Sequence, residues 1–239
     1  MRLREALQLL AGRRKLTGEF FLPSGIKVGV VQKPRSADMK RIAVVLCMAL
    51  FSTVVASAQS LDPADRDRAM KYLEATKKGV VDATKGLSEA QWNFKPAPDR
   101  WSVAQVMEHI AASEDMLFGL VTEKIMKAPP RPEAADVKAI DEMVLARVTD
   151  RSRKAQAPQE LVPTNRYGSP DAATKHFVES RARTADFLQK TPDLRAHAVD
   201  SQLGAKLDAY EWILFIAAHS ERHTKQLNEV RADPNFPKQ

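Results

Sequence analysis

From residue 62 onward the apolar positions of this chain recur at three- or four-residue spacing and its multiples, and no stretch alternates apolar and polar like a half-buried strand. Met70, Leu73, Val80 and Leu87 follow Asp62-Pro63, where aspartate caps free amide hydrogens and proline fills the first helical position without losing a hydrogen bond. Gly86 marks the stop. "LSEAQWNFKPAPDRW" then reads as a short turn capped at Ser88 and a proline-bearing loop ending in Trp101. Ser102 caps a second long helix, which runs to about Lys127 before Pro129-Pro130 forbid continuation. Val137, Ile140, Val144 and Val148 predict a shorter helix, and "RSRKAQAPQELVPTNRYGSP" a long irregular connector. Ser169-Pro170 repeats the cap-plus-proline signal for a helix with Phe177, Thr184, Phe187 and Leu188 inward, ending at Thr191-Pro192. A further connector, "DLRAHAVDSQLGAK", precedes a last helix from Leu207 to about Arg231. Four long helices, long connectors and one extra short helix predict an all-α four-helix bundle.

Upstream, "MKRIAVVLCMALFSTVVASA" (39–58) has the build of a secretion signal. Lys40 and Arg41 form a basic start, Ile42 to Val55 an apolar run, and Ala56-Ser57-Ala58 a small-residue cleavage pattern before Gln59. The apolar run of 14 residues falls short of the roughly 20 that span a bilayer. Cys47 follows Leu46 rather than a small residue, which argues against a lipid anchor. Residues 1–38 show no sustained period and precede a plausible initiator at Met39, so they are expected to be a spurious extension; 59–239 is then the folded domain.

This division changes the charge balance. Of 37 basic and 30 acidic residues, ten and three lie in residues 1–58, which leaves 27 of each in the remainder. The net charge of +7 therefore gives no reason to expect nucleic-acid binding. The sole cysteine lies in the signal, so the mature chain has no disulfide, thiolate ligand or cysteine nucleophile and depends on its core.

In the last helix His219 and His223 stand four residues apart, with ring-bearing Cβ atoms ~6 Å apart on one face. At about 100° per residue they share the stripe of Trp212, Phe215, Ile216 and Val230, while Glu221, Thr224, Lys225 and Asn228 lie on the other side. His109 shares a stripe with Ser102, Val106, Ser113, Met116 and Leu120 of the second helix, and is placed to meet the pair. Two imidazoles at this spacing can reach one ion at ~2 Å each. The same pattern is compatible with hydrogen-bonded core histidines, and spacing alone does not separate the two. His176 lies off its apolar row and His197 in a connector, so both are weaker candidates. Trp101 and Trp212 read as packing residues, and "RSRK" (151–154) as a solvated stretch.

"PAPDRWSVAQVMEHIAASE" (96–114), "LDAYEWILFIAAHSERHTKQ" (207–226) and "ADPNFP" (232–237) together resemble the DinB-like superfamily, the DinB/YfiT-like metalloenzymes. The resemblance implies a bundle whose first, second and last helices frame a divalent metal, zinc or nickel, held by three histidines; position by position these are His109, His219 and His223. Gln226, on the same face, is placed to orient a ligand or touch substrate, and no catalytic residue is assigned. Family members include thiol-dependent S-transferases and a thiol-dependent isomerase. Export departs from that cytosolic setting, so the substrate class does not carry over. A homodimer is likewise implied only by resemblance.

The expectation is an exported protein, periplasmic or extracellular, without a lasting membrane anchor, using a three-histidine divalent site for hydrolysis or group (thiol) transfer on a small molecule. The alternative is a non-catalytic bundle that binds metal or a small ligand. N-terminal sequencing of the exported protein is expected to begin at Gln59; a mature product beginning at Met1 overturns the signal assignment.

Overall fold

A computed structural model describes residues 60–132, 135–152 and 155–238. The expected extension (1–38), the signal (39–58), Cys47, Arg153 and Lys154 lie outside the described residues. Among the described residues six helices form, in the order α1 (Pro63–Thr84), α2 (Glu89–Asn93), α3 (Val103–Glu123), α4 (Val137–Thr149), α5 (Pro170–Lys190) and α6 (Ala209–Arg231). Each start is set by a side chain that satisfies an otherwise unpaired N–H. Asp62 accepts from Ala64 N at 2.8 Å, with Pro63 behind it. Ser88/Gln91, Ser102/Gln105 and Asp208/Glu211 form reciprocal capping boxes for α2, α3 and α6. Among the described residues, no helix is long and apolar enough to cross a membrane.

Two boundaries differ from those the pattern predicts. α3 ends at Glu123 and gives way to a 3-10 turn, Ile125–Lys127, instead of running on as one helix. Leu207, expected to open the last helix, lies in a two-stranded antiparallel sheet of β1 (Ala198–Asp200) and β2 (Lys206–Asp208), with Val199 paired to Leu207. Three residues per strand are too few for alternation to register, and Gly204, at φ 77°, makes the turn between them.

α6 packs against α1 and α3, and α5 packs against the same two, so these four helices close the bundle; α4 lies on α6. The interior holds two apolar clusters. One includes Leu73, Leu117, Val121, Leu188, Ile213 and Leu214, the other Val80, Val103, Met107, Ile110, Phe177 and Leu227. Between them Arg181 of α5, 2 % exposed, donates through Nε and Nη2 to both oxygens of Glu114 on α3, each at 2.8 Å. Its remaining N–H groups reach Leu73 O and Thr76 Oγ1 on α1 and Ser220 Oγ on α6, all at 2.8 Å. Thr184 Oγ1 adds a bond to Glu114 at 3.0 Å. All five guanidinium hydrogens are thus accepted, which a buried arginine requires.

A second buried ionic cluster fastens the start of α6. Arg195 lies over the Tyr210 ring at 4.2 Å and bonds Asp141 (2.8 Å), Asp65 (3.1 Å) and Asp208 (3.2 Å). Arg131 pairs with Asp208, and with Glu211 at 2.8 Å. Burial, then the neighbouring Asp208 charge, pushes the Glu211 carboxyl up to about 7.

Two predictions follow from these clusters. Glu114→Ala leaves Arg181 buried and uncompensated, so urea unfolding should show a loss of about 3–5 kcal/mol. Glu211 has a folded pKa above its ordinary 4.5, so the native state keeps a proton that the unfolded chain releases, and this group's stabilising contribution is full below 4.5 and lost as pH rises through about 7. The stability difference between wild type and Glu211→Gln, measured by thermal melts at a series of pH values, should change across that window and level off outside it.

Candidate metal centre

His109 comes from the second turn of α3, and His219 and His223 from consecutive turns of α6. Their rings converge: centroids are 5.2 Å apart for His109–His219, 4.6 Å for His109–His223 and 4.4 Å for His219–His223. One nitrogen from each lies within 4.8 Å of the others, and Nε2 of His219 is 3.1 Å from Nε2 of His223.

Partners on the far side of two rings fix their tautomers. His109 Nδ1 lies 3.0 Å from Leu161 O, and because a carbonyl only accepts, Nδ1 carries the hydrogen and Nε2 the lone pair. His223 Nδ1 lies 2.8 Å from Gln226 Oε1, which also accepts from Arg151 Nη1 at 3.4 Å. The amide oxygen therefore faces the imidazole, Nδ1 donates, and Nε2, 3.1 Å from His219 Nε2, again carries the lone pair. Gln226 is thus held against the His223 ring.

Desolvation keeps the rings uncharged. Burial holds His109 below its ordinary value and His219 well below it, the latter helped by the charges of His223 and His109 when protonated. Burial, then His109, takes His223 down to about 3. Neutral imidazoles are what a metal ion requires. Two nitrogens each about 2.0–2.1 Å from an ion, at angles of roughly 100–110°, stand about 3.1–3.4 Å apart. The spacing of the His219 and His223 nitrogens falls in that range, so the donor set fits a divalent ion.

At the level of this group the bundle centre is taken by Glu114, Arg181 and Ser220, and the histidines sit beside them. His109 and His223 are buried and His219 is partly open. Trp101 packs on His109 with ring centroids 5.0 Å apart, and Phe215 lies nearly parallel to His219 at 6.3 Å. The connector after α4 reaches the group from outside. Arg151 makes a two-pronged pair with Glu229 at 2.6 Å as well as touching Gln226, so that arginine is docked rather than solvated.

Neither carboxylate nearest in sequence is available as a base. Glu114 is committed to Arg181. Glu108, also buried, accepts the backbone N–H groups of Thr164, Asn165 and Arg166 together with Arg166 Nε. Burial works to raise its carboxyl, but those donors outweigh it and hold it below its ordinary value. His176 binds Asp115 at 2.5 Å and faces Tyr167, and His197 pairs by backbone with Pro130; neither joins the group. The Leu161 carbonyl and the Glu108 clamp carry no sequence signal, because both depend on how an irregular connector folds back.

A family model described as the DinB superfamily matches residues 72–227, which include all three histidines. The chain belongs to the DinB superfamily. This DinB-superfamily chain is 28% identical over 149 residues to "Uncharacterized protein YuaE" of Bacillus subtilis (strain 168), covering 62% of this chain and 87% of that protein. It is similar, at 16% identity and a TM-score of 0.47, to the structure of YfiT from Bacillus subtilis, over 75% of this chain and 93% of YfiT; YfiT is described as "a probable metal-dependent hydrolase with an unusual four-helix bundle topology".

Proposed function

We propose that this protein binds one divalent ion, zinc or nickel, through the Nε2 atoms of His109, His219 and His223, and acts outside the cytoplasm on a small molecule by hydrolysis or group (thiol) transfer. The observation that supports this best is the Nε2 pair 3.1 Å apart, with the opposite nitrogen of His223 engaged by Gln226 and that of His109 by Leu161. When bound, such an ion supplies Lewis acidity toward a water or a substrate oxygen or sulfur.

The chain's own residues have distinct tasks in this reading. Three neutral donors leave the double charge uncompensated and a coordination position open, as in catalytic rather than structural zinc sites. The partly open edge of His219 is the side from which a substrate approaches. Trp101 and Phe215 cover the flanks of His109 and His219 and limit access of bulk water. Gln226 and the Leu161 carbonyl hold protons at the Nδ1 atoms and keep the lone pairs directed inward. One observation favours the alternative, a binding bundle without turnover: Glu108 and Glu114 are both fully engaged elsewhere, so neither supplies a general base.

Metal analysis of natively purified mature protein is expected to find about one divalent ion per chain, and His219→Ala to lower it by roughly tenfold or more. Protein without stoichiometric metal, or a variant that keeps it, counts against the site. Metal-loaded protein is then assayed on ester, amide and thiol-transfer substrates with His219→Ala beside it; equal rates in the two assign the turnover to a contaminant.

A further inference from the structure

One of the three histidines is oriented by backbone 52 residues away in the chain. Leu161 closes a 3-10 turn, Gln159–Leu161, its N–H bonded to Pro158 O at 2.9 Å and its side chain buried. Four residues later the connector turns sharply at Asn165, φ 63°, and Gly168 N closes that turn on Asn165 O at 3.0 Å. The turn converges on one side chain. Glu108 Oε1 accepts from Thr164 N at 2.7 Å, Arg166 N at 3.2 Å and Arg166 Nε at 3.0 Å, and Oε2 accepts from Asn165 N at 2.8 Å. Arg166 Nη2 then reaches back to Val162 O at 2.9 Å, tying the turn to the residue after Leu161.

Glu108 and His109 are consecutive on α3 and point about 100° apart, so the two hold the connector at different points. The carboxylate grips 164–166 and the imidazole meets 161. We infer that Glu108 is a positioning residue of the metal centre: by clamping the Thr164–Arg166 backbone it holds the Leu161 carbonyl against His109 Nδ1 and fixes the tautomer whose Nε2 faces His219 and His223. The inference rests on reading the three histidines as ligands. An acceptor-only carboxylate suits four converging N–H donors; a glutamine there would turn an NH2 group toward some of them. Asn165 tolerates its left-handed backbone, which a β-branched residue does not.

The test compares wild type, Glu108→Gln, Asn165→Val and, as a charge-matched control, Glu160→Gln, which removes an exposed carboxylate from the same connector. Zinc affinity is read by competition with a chelating dye, and the His109 tautomer by long-range proton–nitrogen correlation of the imidazoles in metal-free protein. Glu108→Gln and Asn165→Val should each weaken zinc by about 10–100-fold and give His109 a mixed tautomer, while Glu160→Gln changes neither. Zinc affinity in Glu108→Gln within about twofold of wild type overturns the inference, as does an equal loss in Glu160→Gln, which would reduce the effect to net charge. If wild type itself holds no zinc, the ligand reading fails, and the tautomer alone decides the positioning role: a shift sustains it and an unchanged ring overturns it. Should Glu108→Gln fail to fold, Asn165→Val carries the same test, because it strains the connector at an exposed residue and leaves the helices untouched.

Discussion

A guanidinium withdrawn from water is tolerated only where each of its hydrogens finds an acceptor, and Arg181 of α5 meets that condition by drawing on the other three helices of the bundle. Leu73 and Thr76, Glu114 and Ser220 must each stand at one height and one rotation about their own axes for the set to close. Apolar contacts alone would permit many such rotations, since leucine and valine pack in several registers. A pair like this adds little net stability over a well-packed apolar replacement, yet removing one partner is costly. Its physical role here is to select an arrangement.

The histidines depend on that selection. Glu114 lies five residues beyond His109 on α3, and Ser220 directly follows His219 on α6. Fixing the rotation of both helices at the Arg181 layer therefore fixes where the imidazoles emerge. The uneven cover of the group has a chemical consequence. A fully enclosed ion would meet only protein, whereas this group is covered on one side by the connector and left partly open at His219. The ionic cluster of Arg195 and Arg131 acts in the same way farther along, tying the first turn of α6 to α1, to α4 and to the loop that precedes the hairpin.

Much of this was legible in the sequence because it rests on local chemistry. Caps at Asp62, Ser88, Ser102 and Ser169 announce helix starts without tertiary information, and the stripes that carry His109, His219 and His223 follow from helical period alone. The connector was legible only as a connector. Its bonds to Glu108 and His109 span more than fifty residues and, apart from Arg166 Nε, come from backbone atoms, which have no residue identity to read. The Arg181 layer was hidden for a related reason: among 37 basic residues nothing marks the few that are buried. The hairpin of β1 and β2 was too short to show a period.

The arginines around the histidines raise a question of charge balance. Arg222, Arg181, Arg151 and Arg166 all act to lower one or more of the imidazole pKa values, and each would also repel a bound cation. Three of them are neutralised at contact range, Arg181 by Glu114, Arg151 by Glu229 and Arg166 by Glu108, and Arg222 donates to the Val148 and Asp150 carbonyls. Their repulsion at the ring nitrogens is therefore muted, and desolvation remains the first cause of each lowered imidazole pKa. Desolvation penalises a proton that charges a ring, but a shared ion that bonds three lone pairs recovers in coordination what it loses in hydration. The buried neutral rings thus disfavour a proton more than they would disfavour an ion able to bind all three nitrogens, and the pairing of the arginines keeps their charge from opposing such an ion.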